Sequence, residues 1–194
     1  QTVRSKSPIQ FVMYWGKGER DVVGEKERKA ILYLQEITKA ISEKYSFGAN
    51  ITFVLTDTHA ELNGHTKSQI KKYFDSVHHF ANEVGFQTKN LSEFANFDEQ
   101  SLVSKKNGVA NKKLLELLTE SSEKHCNRYD AETGAKLYYL QNQIEKIEIE
   151  KNFTNAIFLT YNGSELDEIL PIGLPIFYMY SLTKGTSIKP WFDN

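Results

Sequence analysis

The run IQFVMYW at residues 9–15, closed by Pro8 on one side and Gly16 on the other, constrains the fold more than any other stretch. It is nearly all apolar or aromatic and lacks the alternation of a half-wet strand. It therefore predicts a strand buried on both faces, of the kind found in covered, mostly parallel sheets. Such a strand needs helices packed over it. Residues 25–45 carry Ile31, Leu34, Ile37, Ile41 and Tyr45 at steps of three and four, with Gly48 as a stop signal, which predicts an amphipathic helix. ITFVL at residues 51–55 then predicts a second strand, completing a right-handed strand, helix, strand unit.

The same alternation continues. Thr66 and Gln69 have capping-box spacing, and Ile70, Tyr73, Phe74, Val77, Phe80, Ala81 and Val84 mark one helical face up to Gly85. Residues 86–88 predict a short third strand, while 91–107 has no clear period. Two more helical patterns follow: Leu114, Leu115, Leu117 and Leu118, then Leu137, Leu140, Ile144 and Ile147. AIFLT at 156–160 and IFYMY at 176–180 return to strand character. The expectation is a single α/β domain over 1–194, Rossmann-like and three-layered, with a mainly parallel sheet and residues 98–150 as a helical insertion or lid.

Composition narrows the function classes. Lys plus Arg (24) nearly balance Asp plus Glu (25), so no net positive field favours nucleic acid or an anionic membrane. No run approaches the roughly 18 apolar residues of a membrane span. The single cysteine, Cys126, cannot form an internal disulfide, which tilts the expectation toward a cytoplasmic protein. Neither a metal nor a cofactor is expected, and the oligomeric state is not fixed by the sequence.

In parallel sheets the loops leaving the carboxyl ends of strands converge, so chemistry is sought there. The first such loop is GKGER at 16–20: Gly16 and Gly18 let backbone approach a ligand, while Lys17 and Arg20 offer cationic donors to a phosphate or carboxylate. It matches neither GxxxxGK[ST] nor GxGxxG, and a plain exposed turn is the alternative. The second is TDTHAELNGH at 56–65, with Asp57, His59, Glu61, Asn63 and His65 at every second position. Read as extended chain, all five face one side, where carboxylates and an imidazole could move protons or hold a divalent metal. A structural loop capped by Asp57 is the plainer reading. The third is YNGSE at 161–165, whose Asn-Gly signals a turn, with Ser164 or Glu165 facing a ligand as the other reading. Ser164 lies outside any GxSxG motif, and His125 beside Cys126 lacks a zinc-type partner.

The order of features over residues 7–64 (apolar strand, basic loop, long helix, Gly-Ala-x-Ile-Thr strand, then Asp-x-His and Asn-Gly) resembles the isonitrile synthase family, also called the pyoverdine/dityrosine biosynthesis family. Lys189-Pro190-Trp191 is similar to the Pro-Trp near that family's C-terminus. The family's Ser-Asp-Gly-His/Arg pattern falls on Thr56, Asp57, Thr58 and His59, and its later acidic residue falls on Asn63. Thr58 stands where the family has glycine, Glu61 where it has an aromatic, and Asn63 where it has aspartate; the chain is also shorter than a typical member.

The resemblance implies a Rossmann-like cytosolic transferase of secondary-metabolite biosynthesis. Such an enzyme converts the amino group of tyrosine or tryptophan to an isonitrile, with a sugar phosphate, ribulose 5-phosphate, as carbon donor. Lys17 and Arg20 would hold an anion, with Gly16, Gly18, Asn63 and Ser164 lining the substrate site. Asp57, His59 and Glu61 would manage protons. A non-catalytic binding or partner protein on the same scaffold is the rival reading. A metal-dependent enzyme is a third, and cyclodipeptide synthases share an Asp-Thr-His segment like residues 57–59, although no counterpart of their serine loop is present here.

Overall fold

The computed structural model describes residues 6–96, 98–109 and 111–179. Five strands form one sheet in the order β3-β2-β1-β4-β5, every neighbouring pair parallel. They are β1 (Ile9–Trp15), β2 (Ala49–Leu55), β3 (Gln87–Asn90), β4 (Ala156–Thr160) and β5 (Ile176–Tyr178). The helices are α1 (Glu25–Lys44), α2 (Asp57–Leu62), α3 (Lys67–Glu83), α4 (Glu99–Lys105), α5 (Lys112–His125) and α6 (Ala131–Asn152). The expected third strand is displaced slightly, to Gln87–Asn90, and the unassigned 91–107 stretch holds a 3₁₀ turn and α4. Lys189-Pro190-Trp191 lies outside the described residues. Among the described residues no helix is long and apolar enough to cross a membrane.

Strand alternation sorts the apolar residues into two layers. Met13 and Trp15 of β1, Ile51, Phe53 and Leu55 of β2 and Leu159 of β4 face Ala30, Ile31 and Leu34 of α1 and Ile70, Phe74 and Val77 of α3. Val12, Val54 and Phe158 point the other way, onto Ile149 of α6 and the loop residues Leu91, Leu170 and Leu174. With both faces covered, the sheet is the middle layer of a Rossmann-like three-layer α/β domain. Burying a side chain such as Phe53 stabilises the fold by about 2–3 kcal/mol, which is why β1 and β2 read as unbroken apolar runs.

Helix ends follow the sequence signals. Thr66 Oγ1 accepts from the Gln69 N–H and Gln69 Oε1 accepts from the Thr66 N–H, closing the capping box of α3. At the other end Gly85 adopts φ +88°, and the Phe86 N–H reaches back to the Ala81 carbonyl at 2.9 Å. The left-handed φ is what glycine supplies there.

Strands β1 to β3 run outward on one side before the chain crosses back to β4 and β5 on the other. The reversal point lies between β1 and β4, where the two following loops diverge and leave a crevice.

A cleft at the carboxyl edge of the sheet

A cleft of about 470 Å³ opens at that reversal point. Gly16, Lys17 and Gly18 after β1, His59 and Asn63 after β2, and Asn162 after β4 all line it, with Tyr138 of α6 and Leu118 and His125 of α5 as its far wall. The basic loop and the TDTHAELNG segment thus share a cavity, as the strand-end argument requires.

The second segment is not extended. Asp57–Leu62 is a helix, ended by Gly64 at φ +92° with the His65 N–H donating to the Ala60 carbonyl. On a helix, residues two apart point about 200° away from each other. The expected convergence of Asp57, His59 and Glu61 is therefore corrected: His59 faces the cleft, whereas Asp57 and Glu61 line a different groove, beside Lys67, Ile70 and Phe74. Asp57 is also occupied, accepting from the Ser92 N–H at 3.0 Å and from the Ser92 hydroxyl. Ala, Glu and Leu in DTHAEL are helix formers, and Asp57 sits in the first turn where a negative charge is favoured.

His59 is held from below. Its Nε2 lies 2.5 Å from Glu145 Oε2, and Glu145 on α6 is fully buried. The other carboxylate oxygen accepts from Thr58 Oγ1 at 2.9 Å and Gln141 Nε2 at 2.7 Å. A carboxylate oxygen that accepts from the imidazole places the ring proton on Nε2 and leaves Nδ1 as the acceptor nitrogen. Tyr138 packs edge-on against the imidazole at 4.9 Å and Tyr14 at 5.9 Å. Burial, then the Glu145 charge, raises the Tyr138 phenol to about 12 and holds Tyr14 well above its ordinary range. The Tyr14 hydroxyl is buried without a hydrogen-bond partner among the described residues.

The cations of the first loop are engaged. The buried Lys17 ammonium donates to the carbonyls of Gly18 at 3.1 Å and Arg20 at 2.8 Å and lies over the Tyr73 ring, holding its own loop in place. Its removal from water lowers its pKa, opposed by Asp21 3.8 Å away. Arg20 does not line the cleft; it pairs at 2.7 Å with Glu27 of α1, which does. Ser164 is exposed at the start of the 3₁₀ turn Ser164–Ile169 and does not line the cleft. No cluster of three or more His, Cys, Asp or Glu able to hold a metal occurs among the described residues.

The site residues that sequence reasoning missed are Thr58, Tyr138, Gln141 and Glu145. The apolar stripe Leu137, Leu140, Ile144 and Ile147 drew attention to one face of α6, yet Ile147 is 48% exposed while Gln141 and Glu145 are fully buried. The available signal was Gln141 and Glu145 one turn apart, beside Tyr138 and the small pair Gly134-Ala135. Gly134 has a packing reason: a Cβ there would stand 2.3 Å from Ser122 Oγ of α5.

Three solved structures share the fold. The PvcA protein of Pseudomonas aeruginosa superposes with a TM-score of 0.69 at 16% identity, over 99% of this chain and 73% of that one. Tyrosyl-tRNA synthetase of Archaeoglobus fulgidus, in complex with L-tyrosine, gives 0.52 at 16% identity, over 86% of this chain and 50% of that one. The cyclodipeptide synthase of Candidatus Glomeribacter gigasporarum, bound to Phe-tRNAPhe, gives 0.52 at 12% identity, over 89% and 87%. No family model matches the sequence, and no curated protein matches it. The chain is thus similar to these proteins in its Rossmann-like α/β fold.

Proposed function

We propose that this chain is a small-molecule biosynthetic enzyme of isonitrile-synthase-like type, a transferase acting on the amino group of tyrosine or tryptophan with a sugar phosphate such as ribulose 5-phosphate. The observation that carries the reading is the His59–Glu145 pair at the floor of the cleft. Condensing an amine with a ketone needs a base to free the amine and an acid to help water leave. An imidazole oriented by a buried carboxylate does both. In this scheme His59 Nδ1 takes a proton from the substrate ammonium and returns it to the departing hydroxyl, while Glu145 stabilises the imidazolium between the two steps. Support also comes from the fold likeness to PvcA across 99% of the chain, and from the L-tyrosine and Phe-tRNAPhe held by the other two neighbours.

The engagement of Lys17 and Arg20 favours a second reading, an amino-acid-binding protein without the sugar-phosphate step, because two cations expected to hold the phosphate are spent within the protein. Mass spectrometry after incubation with tyrosine or tryptophan and ribulose 5-phosphate separates the two readings. An isonitrile product supports the enzyme. Unchanged substrates with folded full-length protein contradict it.

A further inference from the structure

A groove of about 560 Å³, larger than the cleft, lies where α2 and α3 meet the outermost strand of the sheet. Its floor is apolar, made by Leu55 at the end of β2 and by Ile70 and Phe74 of α3. Thr88, Lys89 and Asn90 of β3 form one wall. β3 ends the sheet order, and no strand pairs with its outer side among the described residues. The Asn90 N–H donates to Glu93 Oε1 at 3.0 Å, away from β2, and alternation along a strand then turns the N–H and C=O of Thr88 outward too. The register sets Thr88 beside Phe53 and Asn90 beside Leu55, so both side chains lie on the groove's face of the sheet.

Charge decides what such a groove takes. Lys71 is neutralised by Asp75 at 2.7 Å, His78 is tied to the Thr88 hydroxyl and to Asn82, and Lys89 reaches the opposite face, over the Phe153 ring. That leaves the carboxylates of Asp57, Glu61 and Glu93 against the single ammonium of Lys67. Asp57 is held by Ser92 and Glu93 by Asn90, whereas the exposed Glu61 makes no ion pair among the described residues.

We infer that the groove and the β3 edge dock an extended, basic peptide segment of a partner protein. The segment lies beside β3 and exchanges main-chain hydrogen bonds with Thr88. It lays an arginine or lysine stem along Phe74 and Ile70, with the cationic head at Glu61. An acidic segment is repelled by the same rim. A second copy of the chain fits less well, because pairing two β3 edges brings two acidic rims together. The outward edge is short, so the contact is a weak and reversible one. None of this depends on the chemistry of the cleft.

The test is fluorescence anisotropy of the full chain with a labelled, end-capped octapeptide of alternating valine and arginine. Two control peptides accompany it, one with glutamate in place of arginine and one N-methylated at alternate backbone nitrogens. The arginine peptide is expected to bind about tenfold more tightly than either control. Glu61 and Lys67 are both exposed, so charge changes there leave the core intact. Glu61→Lys is expected to weaken the arginine peptide about tenfold and Lys67→Glu to tighten it about threefold, with circular dichroism unchanged in both. No binding of the arginine peptide, equal affinity for the glutamate peptide, indifference to backbone methylation, or unchanged affinity in folded Glu61→Lys each overturns the inference. Sedimentation that finds a dimer dissolved by Thr88→Pro assigns the edge to a second copy and also overturns it.

Discussion

His59 Nε2 and Glu145 Oε2 lie 2.5 Å apart although 86 residues separate them in sequence, one on the short helix after β2 and the other on the long helix before β4. The pair ties α2 to α6 across the carboxyl edge of the sheet. Glu145 accepts three hydrogen bonds in a fully buried position, so the pairing is also part of the fold. Glu145→Ala leaves the partner groups on Thr58, Gln141 and His59 unpaired and is expected to destabilise the protein by about 3 kcal/mol. Urea unfolding reads this loss as a lower midpoint at unchanged slope.

Glu145→Gln keeps the shape but removes the charge that stabilises a protonated His59. Turnover is expected to fall by about two orders of magnitude, with KM for the amino acid nearly unchanged. Asp57→Ala and Glu61→Ala, in the neighbouring groove, are expected to stay within tenfold of the parent. Steady-state kinetics on the three variants checks this ordering, and equal losses in all three would contradict the geometry.

How much of this was legible in the sequence depended on the range of the interactions concerned. β1, α1, β2 and the capped α3 are each set by local burial pattern or by a cap within four residues, and they stand where the periodicity puts them. The shared cleft followed from parallel topology, because strand ends converge whatever their side chains. The orientation of residues 57–61 was not legible. Alternate polar residues satisfy an extended reading, and only the helix propensity of DTHAEL and the stop at Gly64 decide against it. Glu145 was hidden for a different reason: a buried carboxylate depends on a partner far away in sequence, and no local pattern distinguishes it from a solvated one. Arg20 looked free for another reason: its partner Glu27 is only seven residues on, but the turn that brings the first turn of α1 back to it has no sequence signature.

Gly134 lets α5 approach α6. Gly134→Ala would bring a Cβ to 2.3 Å from Ser122 Oγ and 3.1 Å from Cys126 Sγ, so the Ser122 hydroxyl and the Cys126 side chain must move aside. The expected cost is about 1–3 kcal/mol. Adding Ser122→Ala removes the nearest clash and should restore part of the loss, a coupling that thermal unfolding of the single and double variants measures.

Alkaline pH probes the buried phenols. Burial raises Tyr73 and Tyr138 each to about 12 from an ordinary value near 10. A folded-state pKa above the unfolded one means that the stabilisation is fully present below pH 10 and is lost as pH rises from 10 through 12. Each phenol accounts for roughly 3 kcal/mol over that window. Stability measured against pH should therefore begin to fall above pH 10, and less steeply in Tyr138→Phe.

The most direct test of the central claim, that His59 presents Nδ1 to an amino acid while Glu145 holds Nε2, is nitrogen NMR of the protein labelled in its histidine rings. The account predicts a protonated, hydrogen-bonded Nε2 at neutral pH and an Nδ1 resonance that shifts when L-tyrosine saturates the cleft. An Nδ1 resonance unmoved by saturating tyrosine, or a proton on Nδ1 in place of Nε2, would contradict it.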